Sequence, residues 1–246
     1  MENTMSDTYV LIHGAWHTGE LLEPVAQAIR AHGHTVHCPT LAGNRPSDDR
    51  ATSGLTEAVQ SVVHYIESNK LQNVRLVGHS YGGMIISKVA DLIPDRITRL
   101  VYWNAFVPLS GECLNDMVPP HYKGMFDQIA AASNNAVVLP FPVWRDAFIN
   151  DADAALAQSA YDKLNPQPYK CFTEPVELSS QMAEKMIGKS YLNFQQDAAL
   201  PHSYPWHPRL SERLGLFRLI EGQGSHEVCF TNPKLLGEKI IEAGRD

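Results

Sequence analysis

Short apolar runs alternate with amphipathic stretches along most of the chain. Residues 9–13 (Y-V-L-I-H) form a continuous apolar run that stops at Gly14 and has the length of a buried strand. Leu22, Val25, Ala26 and Ile29 then recur at i, i+3, i+4 and i+7, predicting a helix that closes at Gly33. A second short strand is expected over 35–38, followed by a polar loop with glycine and proline over 39–53. Leu55, Ala58, Val59, Val62 and Ile66 mark one face of a further helix. Residues 74–77 read as a strand, 84–93 as a helix halted by Pro94, and 99–103 as another strand. Buried strands separated by helices predict an α/β architecture, a mostly parallel sheet with helices on both faces.

The rhythm breaks between 108 and 188, where prolines, aromatics and short helical pieces such as 144–148 and 154–164 take over. This stretch is expected to be an inserted, mostly helical cap, with 1–107 and 189–246 forming the core. The strand–helix pattern resumes with strands over 189–194 and 217–220. Asn232 caps a last helix that has Pro233 at its first position and Leu235, Leu236, Ile240 and Ile241 following. Residues 1–7 are polar and expected to fray.

The chemistry gathers at one junction. Between the 74–77 strand and the 84–93 helix stands G-H-S-Y-G (78–82), a G-x-S-x-G with no spare residue for a loop. The bare pattern arises by chance in roughly one chain in ten of this size. Its strand-before, helix-after setting is the stronger signal: a strand turning into a helix across one serine strains that serine and lifts its hydroxyl clear of the sheet. Gly78 and Gly82 allow the close approach, and the Tyr81 N–H lies at the start of the helix, where the dipole favours a negative oxygen.

A serine needs a base, and the base an orienting carboxylate. In parallel sheets reactive groups collect beyond the carboxyl ends of the strands. Asp197 follows the 189–194 strand and His226 follows the 217–220 strand, giving the order Ser80, Asp197, His226. His202 and His207 lie in a proline-rich stretch and Asp127, Asp146, Asp151 and Asp153 in the cap. Behind the 99–103 strand stand Asn104 and Ala105, with no acid, and Glu221 precedes His226 too closely. H-G-A-W (13–16) follows the first strand, so the Ala15 N–H can join that of Tyr81 as an oxyanion hole, with Gly14 letting the chain pass close to Ser80.

Composition removes other classes. The chain has 246 residues, 44% hydrophobic and 19% charged, which suits one large domain or a core with an insertion. A net charge of −7 argues against a nucleic-acid surface. No long apolar run or basic leader is seen, so the expectation is a cytoplasmic protein without a membrane partner. Cys38, Cys113, Cys171 and Cys229 are scattered and read as small apolar side chains. His13, His17, His32, His34 and His37 crowd together, but their spacing fits no metal motif, and neither metal nor cofactor is expected.

The stretches V-L-I-H-G-A-W-H (10–17), L-V-G-H-S-Y-G-G (76–83), N-A-F-V-P (104–108), Q-Q-D-A-A-L-P (195–201) and G-Q-G-S-H (222–226) resemble the α/β-hydrolase superfamily. Within it they resemble the small-esterase/hydroxynitrile-lyase group, which includes methyl salicylate esterases. The resemblance implies an α/β-hydrolase fold with a helical cap and a serine hydrolase for small apolar or aromatic esters, lactones included. Hydroxynitrile lyases of the group carry Thr after the first-strand His and Lys after the catalytic His, where this chain has Gly14 and Glu227. A carboxylate there is expected to repel cyanide. The fold also hosts cofactor-free dioxygenases, whose acid would occupy the Asn104–Ala105 position, and low-turnover ligand receptors. Gly14 and Trp16 and the cap aromatics Tyr122, Phe126, Phe141, Trp144, Phe148, Tyr161 and Phe172 are the expected pocket residues, Phe126, Trp144 and Phe148 foremost. The partner is a small-molecule ester; the sequence leaves a homodimer open.

Overall fold

The computed structural model describes residues 6–246. Its centre is a six-stranded sheet built from β1 (Thr8–Ile12), β2 (Thr35–His37), β3 (Val74–His79), β4 (Ile97–Trp103), β7 (Gly188–Phe194) and β8 (Arg218–Gly222). The strands lie in the order β2-β1-β3-β4-β7-β8, and every pair in this sheet is parallel. Four predicted strands begin a residue or two off, and the predicted 74–77 strand runs on to His79, so that the serine is the first residue past its end.

Alternation along each strand divides the core in two. Val10, Ile12, Leu76, Leu100 and Tyr102 face α2 (Leu55–Ser68) and α3 (Gly82–Leu92), whereas Tyr9, Leu11, Val77, Val101 and Trp103 join α1 (Glu23–Arg30) and the last helix on the other face. Both faces are thereby buried, which is why these strands read as unbroken apolar runs rather than as alternating ones.

Between β4 and β7 the chain forms α4 (Pro120–Ala132), a two-stranded antiparallel ribbon of β5 (Ala136–Val137) and β6 (Gln167–Pro168), and the short helices α5 (Phe141–Val143), α6 (Ala154–Tyr161) and α7 (Lys170–Thr173). A single π-helical turn spans Trp144–Phe148. The ribbon was not expected: two residues per strand carry no periodicity. The remaining helices are α8 (Val228–Thr231) and α9 (Pro233–Gly244), and the Asn232 side chain accepts from the Leu235 N–H as predicted.

The expected fraying of 1–7 falls largely on residues 1–5, which lie outside the described residues. At the end of that stretch Asp7 is not loose: it pairs with Arg75 at 2.9 Å, and its N–H donates to His34 Nδ1. All four cysteines are free, and only Cys171 and Cys229 are fully buried. Among the described residues no helix is long and apolar enough to cross a membrane.

Candidate active site

Ser80 occupies the turn between β3 and α3 with φ of 52°, in the left-handed region. A non-glycine residue sits there at a cost of about 1–3 kcal/mol, which the surrounding packing must offset. The packing is close on every side. A Cβ on Gly78 would lie 2.7 Å from the Gly82 carbonyl oxygen, and one on Gly83 only 2.1 Å from that of Phe106. The Ser80 carbonyl accepts from the N–H groups of Gly83 and Phe106, and its own N–H donates to Trp103. Strand end, helix start and the chain beyond β4 thus meet at this one residue.

The distant partners meet there too. His226 Nδ1 lies 2.5 Å from Asp197 Oδ2, and both side chains are 1% exposed. With Nδ1 donating to the carboxylate, Nε2 is the ring nitrogen left for a hydroxyl. Ser80 and His226 line the same cavity. Among the described residues no hydrogen bond joins the two side chains, a separation common in unliganded sites that tighten on substrate.

The two loops are tied to their neighbours. His79 Nε2–H donates to the His226 carbonyl at 3.0 Å, and its ring stacks on Trp103 at 3.9 Å. Burial, with a smaller contribution from His226, holds His79 well below the usual imidazole range, so it is neutral. Asn104, where an alternative acid would stand, instead clamps the end of β7: its Oδ1 accepts from the Phe194 N–H at 2.7 Å. The 148–151 stretch pins both loops from above, since Phe148 O accepts from Glu227 N–H, Asn150 donates to Gln196 O, and Asp151 accepts from Ser225 N–H.

The N–H groups of Ala15 and Tyr81 have no acceptor among the described residues, and both residues line the cavity beside Ser80. His13 shapes the first of them. Its Nε2 accepts from Leu41 N–H and its Nδ1 lies 2.8 Å from the Gly14 carbonyl, so the proton is on Nδ1. Burial outweighs the Gly14 hydrogen bond and lowers its pKa to about 3, which keeps the ring neutral. The peptide it polarises is the one that carries the Ala15 N–H.

Trp16 follows with φ of 67° and is held from the β4–β7 segment. Its N–H donates to Gln167 Oε1, its indole N–H to Val137 O, and its carbonyl accepts from Asn165 N–H. His17, one residue on, is buried against Glu227 at 2.9 Å, and its other ring nitrogen is 2.6 Å from the Ala15 carbonyl. Burial alone would lower its pKa, but the Glu227 charge and hydrogen bond together raise it, consistent with both ring nitrogens facing acceptors.

The cavity is lined by Ala15, Trp16, Tyr81, Phe106, Leu114, Val118, Tyr122, Phe126, Phe148, Phe172, Ala199, Leu200 and Trp206 besides Ser80 and His226. No Lys, Arg, Asp or Glu is among them. Of the expected pocket residues, Trp16, Tyr122, Phe126, Phe148 and Phe172 line it. Trp144 does not: it is fully buried behind Phe148, its indole N–H bonded to Ala157 O. Phe141 and Tyr161 pack on each other away from the cavity. Gly14 acts by close approach, a Cβ there meeting His79 and Ser80 at 3.0 and 3.2 Å, rather than as a wall.

Leu114 and Val118 were not anticipated: the first lies in a short 3-10 turn and the second in the link to α4, so no helical spacing marks them. Trp206, in the proline-rich stretch weighed only for its histidines, was not anticipated either. Two buried groups, His17–Glu227–Cys229 and His79–His226–Glu227, have donor atoms within 4.8 Å of one another. In the first, both His17 nitrogens are already committed to Ala15 and Glu227.

Comparison with known proteins agrees with this fold. Residues 9–235 match the model of the alpha/beta hydrolase family. The structure of an extracellular alpha/beta-hydrolase from a Paenibacillus species, described as sharing structural and functional homology with tobacco salicylic acid binding protein 2, is 40% identical with a TM-score of 0.94, over 98% of this chain and 100% of that one. A pyrethroid hydrolase of Sphingobium wenxiniae is 33% identical over 95% of this chain and 86% of its own. A carbendazim hydrolyzing esterase of a Nocardioides species is 29% identical over 96% and 99%. On its sheet, its serine turn and a family match spanning nearly its whole length, the chain belongs to the α/β-hydrolase family.

Proposed function

We propose that this protein hydrolyses small, uncharged carboxylic esters through an acyl-enzyme on Ser80. The ester-hydrolase class rests on the relatives that span nearly all of the chain, among them a pyrethroid hydrolase and a carbendazim hydrolyzing esterase. The observation that carries the mechanism is the buried His226–Asp197 pair, 2.5 Å apart, opening with Ser80 into one apolar cavity. His226 Nε2 takes the Ser80 proton as Oγ attacks the carbonyl carbon. Negative charge moves to the carbonyl oxygen, where the Ala15 and Tyr81 N–H groups receive it, and the imidazolium is supported by Asp197. His226 then protonates the leaving alcohol, and a water activated by the same ring releases the acid.

The lining supports an aromatic or alkyl substrate, because it offers eight aromatic side chains besides His226 and no fixed charge to pair with a carboxylate or ammonium. The segment between β4 and β7, which supplies Leu114, Val118, Tyr122 and Phe126 from α4 and its approach alone, serves in this reading as the substrate-facing cap. A cyanohydrin lyase is disfavoured for a different reason from the expected one. Glu227 does not face the cavity at all but is spent on His17, and no cation lines the cavity in its place. A dioxygenase with its acid behind β4 is disfavoured because Asn104 stands there, bonded to Phe194.

The test is a panel of p-nitrophenyl and methyl aryl esters on the wild type and Ser80→Ala, with circular dichroism to verify the fold. Turnover is expected to fall by ~10⁴-fold or more in the variant. A variant that turns over like the wild type rejects the acyl-enzyme.

A further inference from the structure

Trp206 stands against the ring on which the proposed chemistry turns. It is 5% exposed and lies in the chain between β7 and β8. Its indole is stacked on the His226 imidazole, the ring centroids 5.2 Å apart and the planes 13° from parallel. Its position is fixed independently of His226. Phe106 packs edge-on against the indole at 4.9 Å, and the Trp206 carbonyl accepts from the Leu210 N–H. Arg209 ties the same loop down by donating to the carbonyls of Pro205 and Met117.

His226 is otherwise bounded by Phe148, edge-on at 5.3 Å, and by His79 at 4.5 Å. Asp197 holds one nitrogen in a single direction but leaves the ring free to swing about that bond. A flat, well-anchored indole laid along the imidazole removes that freedom. It also presents a π face, negative in its quadrupole, to a ring that becomes a cation in the transition state.

We propose that Trp206 is a positioning residue for the general base, holding the His226 ring in register with both Asp197 and Ser80 and stabilising its protonated form. The proposal rests on the assignment of His226 as that base. Loss of the indole removes a π face that favours the cationic ring formed in the transition state, so the acid limb of the activity profile is the readout that a merely structural role would not move. The charged or titratable groups near the ring are Asp197, which stays in place in any Trp206 variant; His79, neutral and bonded to the His226 carbonyl; and Glu227, paired with His17. Arg209 faces the loop and keeps its charge over the range of the assay. None of these is removed by changing the indole.

The experiment compares Trp206→Phe, which keeps an aromatic face, with Trp206→Leu and Trp206→Met, which do not, and includes His226→Gln. The readouts are kcat and the acid limb of the kcat/KM–pH profile with a p-nitrophenyl ester. The limb is expected to move down by about 0.4–1.5 pH units and kcat to fall about 3–30-fold in the Leu and Met variants, while Phe stays near the wild type. Pocket filling alone changes KM and does not move the limb. An unmoved limb in the non-aromatic variants, or a Phe variant shifted as far as they are, overturns the proposal. Should Leu and Met both fail to fold, Trp206→Phe and Trp206→Tyr carry the test, and an acid limb displaced in both overturns the proposal equally. Full activity in His226→Gln would instead remove the underlying assignment, which separates the two failures.

Discussion

The pair His17–Glu227 gives the sharpest test of how this site is built, because its two charges are out of solvent and join two functional loops. Their side chains are 2% and 1% exposed, and the contact is 2.9 Å. Glu227→Ala leaves the His17 cation without its counter-charge. Breaking a buried pair in this way costs about 3–5 kcal/mol. For a chain of this size that corresponds to a fall in Tm of roughly 6–20 °C. Glu227→Gln is milder, since a neutral imidazole can still donate from Nδ1 to the Ala15 carbonyl and accept from the new amide. The two variants also differ in pH dependence. His17 binds its proton more tightly in the folded protein than its ordinary value of 6.5 implies. The stabilisation it brings is therefore fully present below about pH 6.5 and is lost as the pH climbs through the raised folded value. Urea denaturation at several pH values should show the wild type exceeding Glu227→Gln most in mildly acidic buffer, the gap closing in alkaline buffer. A gap that is constant, or that widens with pH, refutes the charged pair. So does a cost below ~1 kcal/mol for Glu227→Ala, given the magnitude expected of a buried pair.

Other outcomes follow from single contacts. Gln167→Met removes the acceptor for the Trp16 N–H and for Asn44 Nδ2, so the loop carrying the Ala15 N–H loses its brace. Steady-state kinetics should show kcat reduced by about tenfold with KM little changed, an effect of the size of the backbone strain released at Trp16. Gln167→Glu, which keeps the acceptor, should recover most of it; a Met variant with wild-type kcat contradicts the brace. Gly83→Ala would drive a methyl to 2.1 Å from the Phe106 carbonyl at the foot of α3. It should lower stability by on the order of 1–3 kcal/mol. Thermal denaturation checks this, and an unchanged Tm would mean the serine turn is looser than its packing implies.

Much of the fold was legible in advance. Apolar runs such as 9–13 and 74–77, separated by amphipathic segments, have few ways to bury both faces of each strand other than a parallel sheet between helix layers. The strand-to-helix turn at Ser80 and the places of Asp197 and His226 behind later strands followed from the same logic, since parallel strands deliver their carboxyl ends to one edge. The β5–β6 ribbon escaped because it is too short to leave a pattern and is held by contacts with Trp16 and Asn44 rather than by its own propensity.

Side-chain direction was the harder part. Trp144 and Phe148 are four apart and equally aromatic, yet a π turn sends the first behind the second and only Phe148 reaches the cavity. Glu227 was read by its charge as facing the substrate and is instead engaged with a histidine 210 residues earlier in the chain. Local spacing sets which elements form and which edge they share, because those depend on burial along one strand or helix. Which ring lies against His226, and which acid is neutralised before a substrate arrives, depends on segments that are neighbours only after the chain has closed on itself.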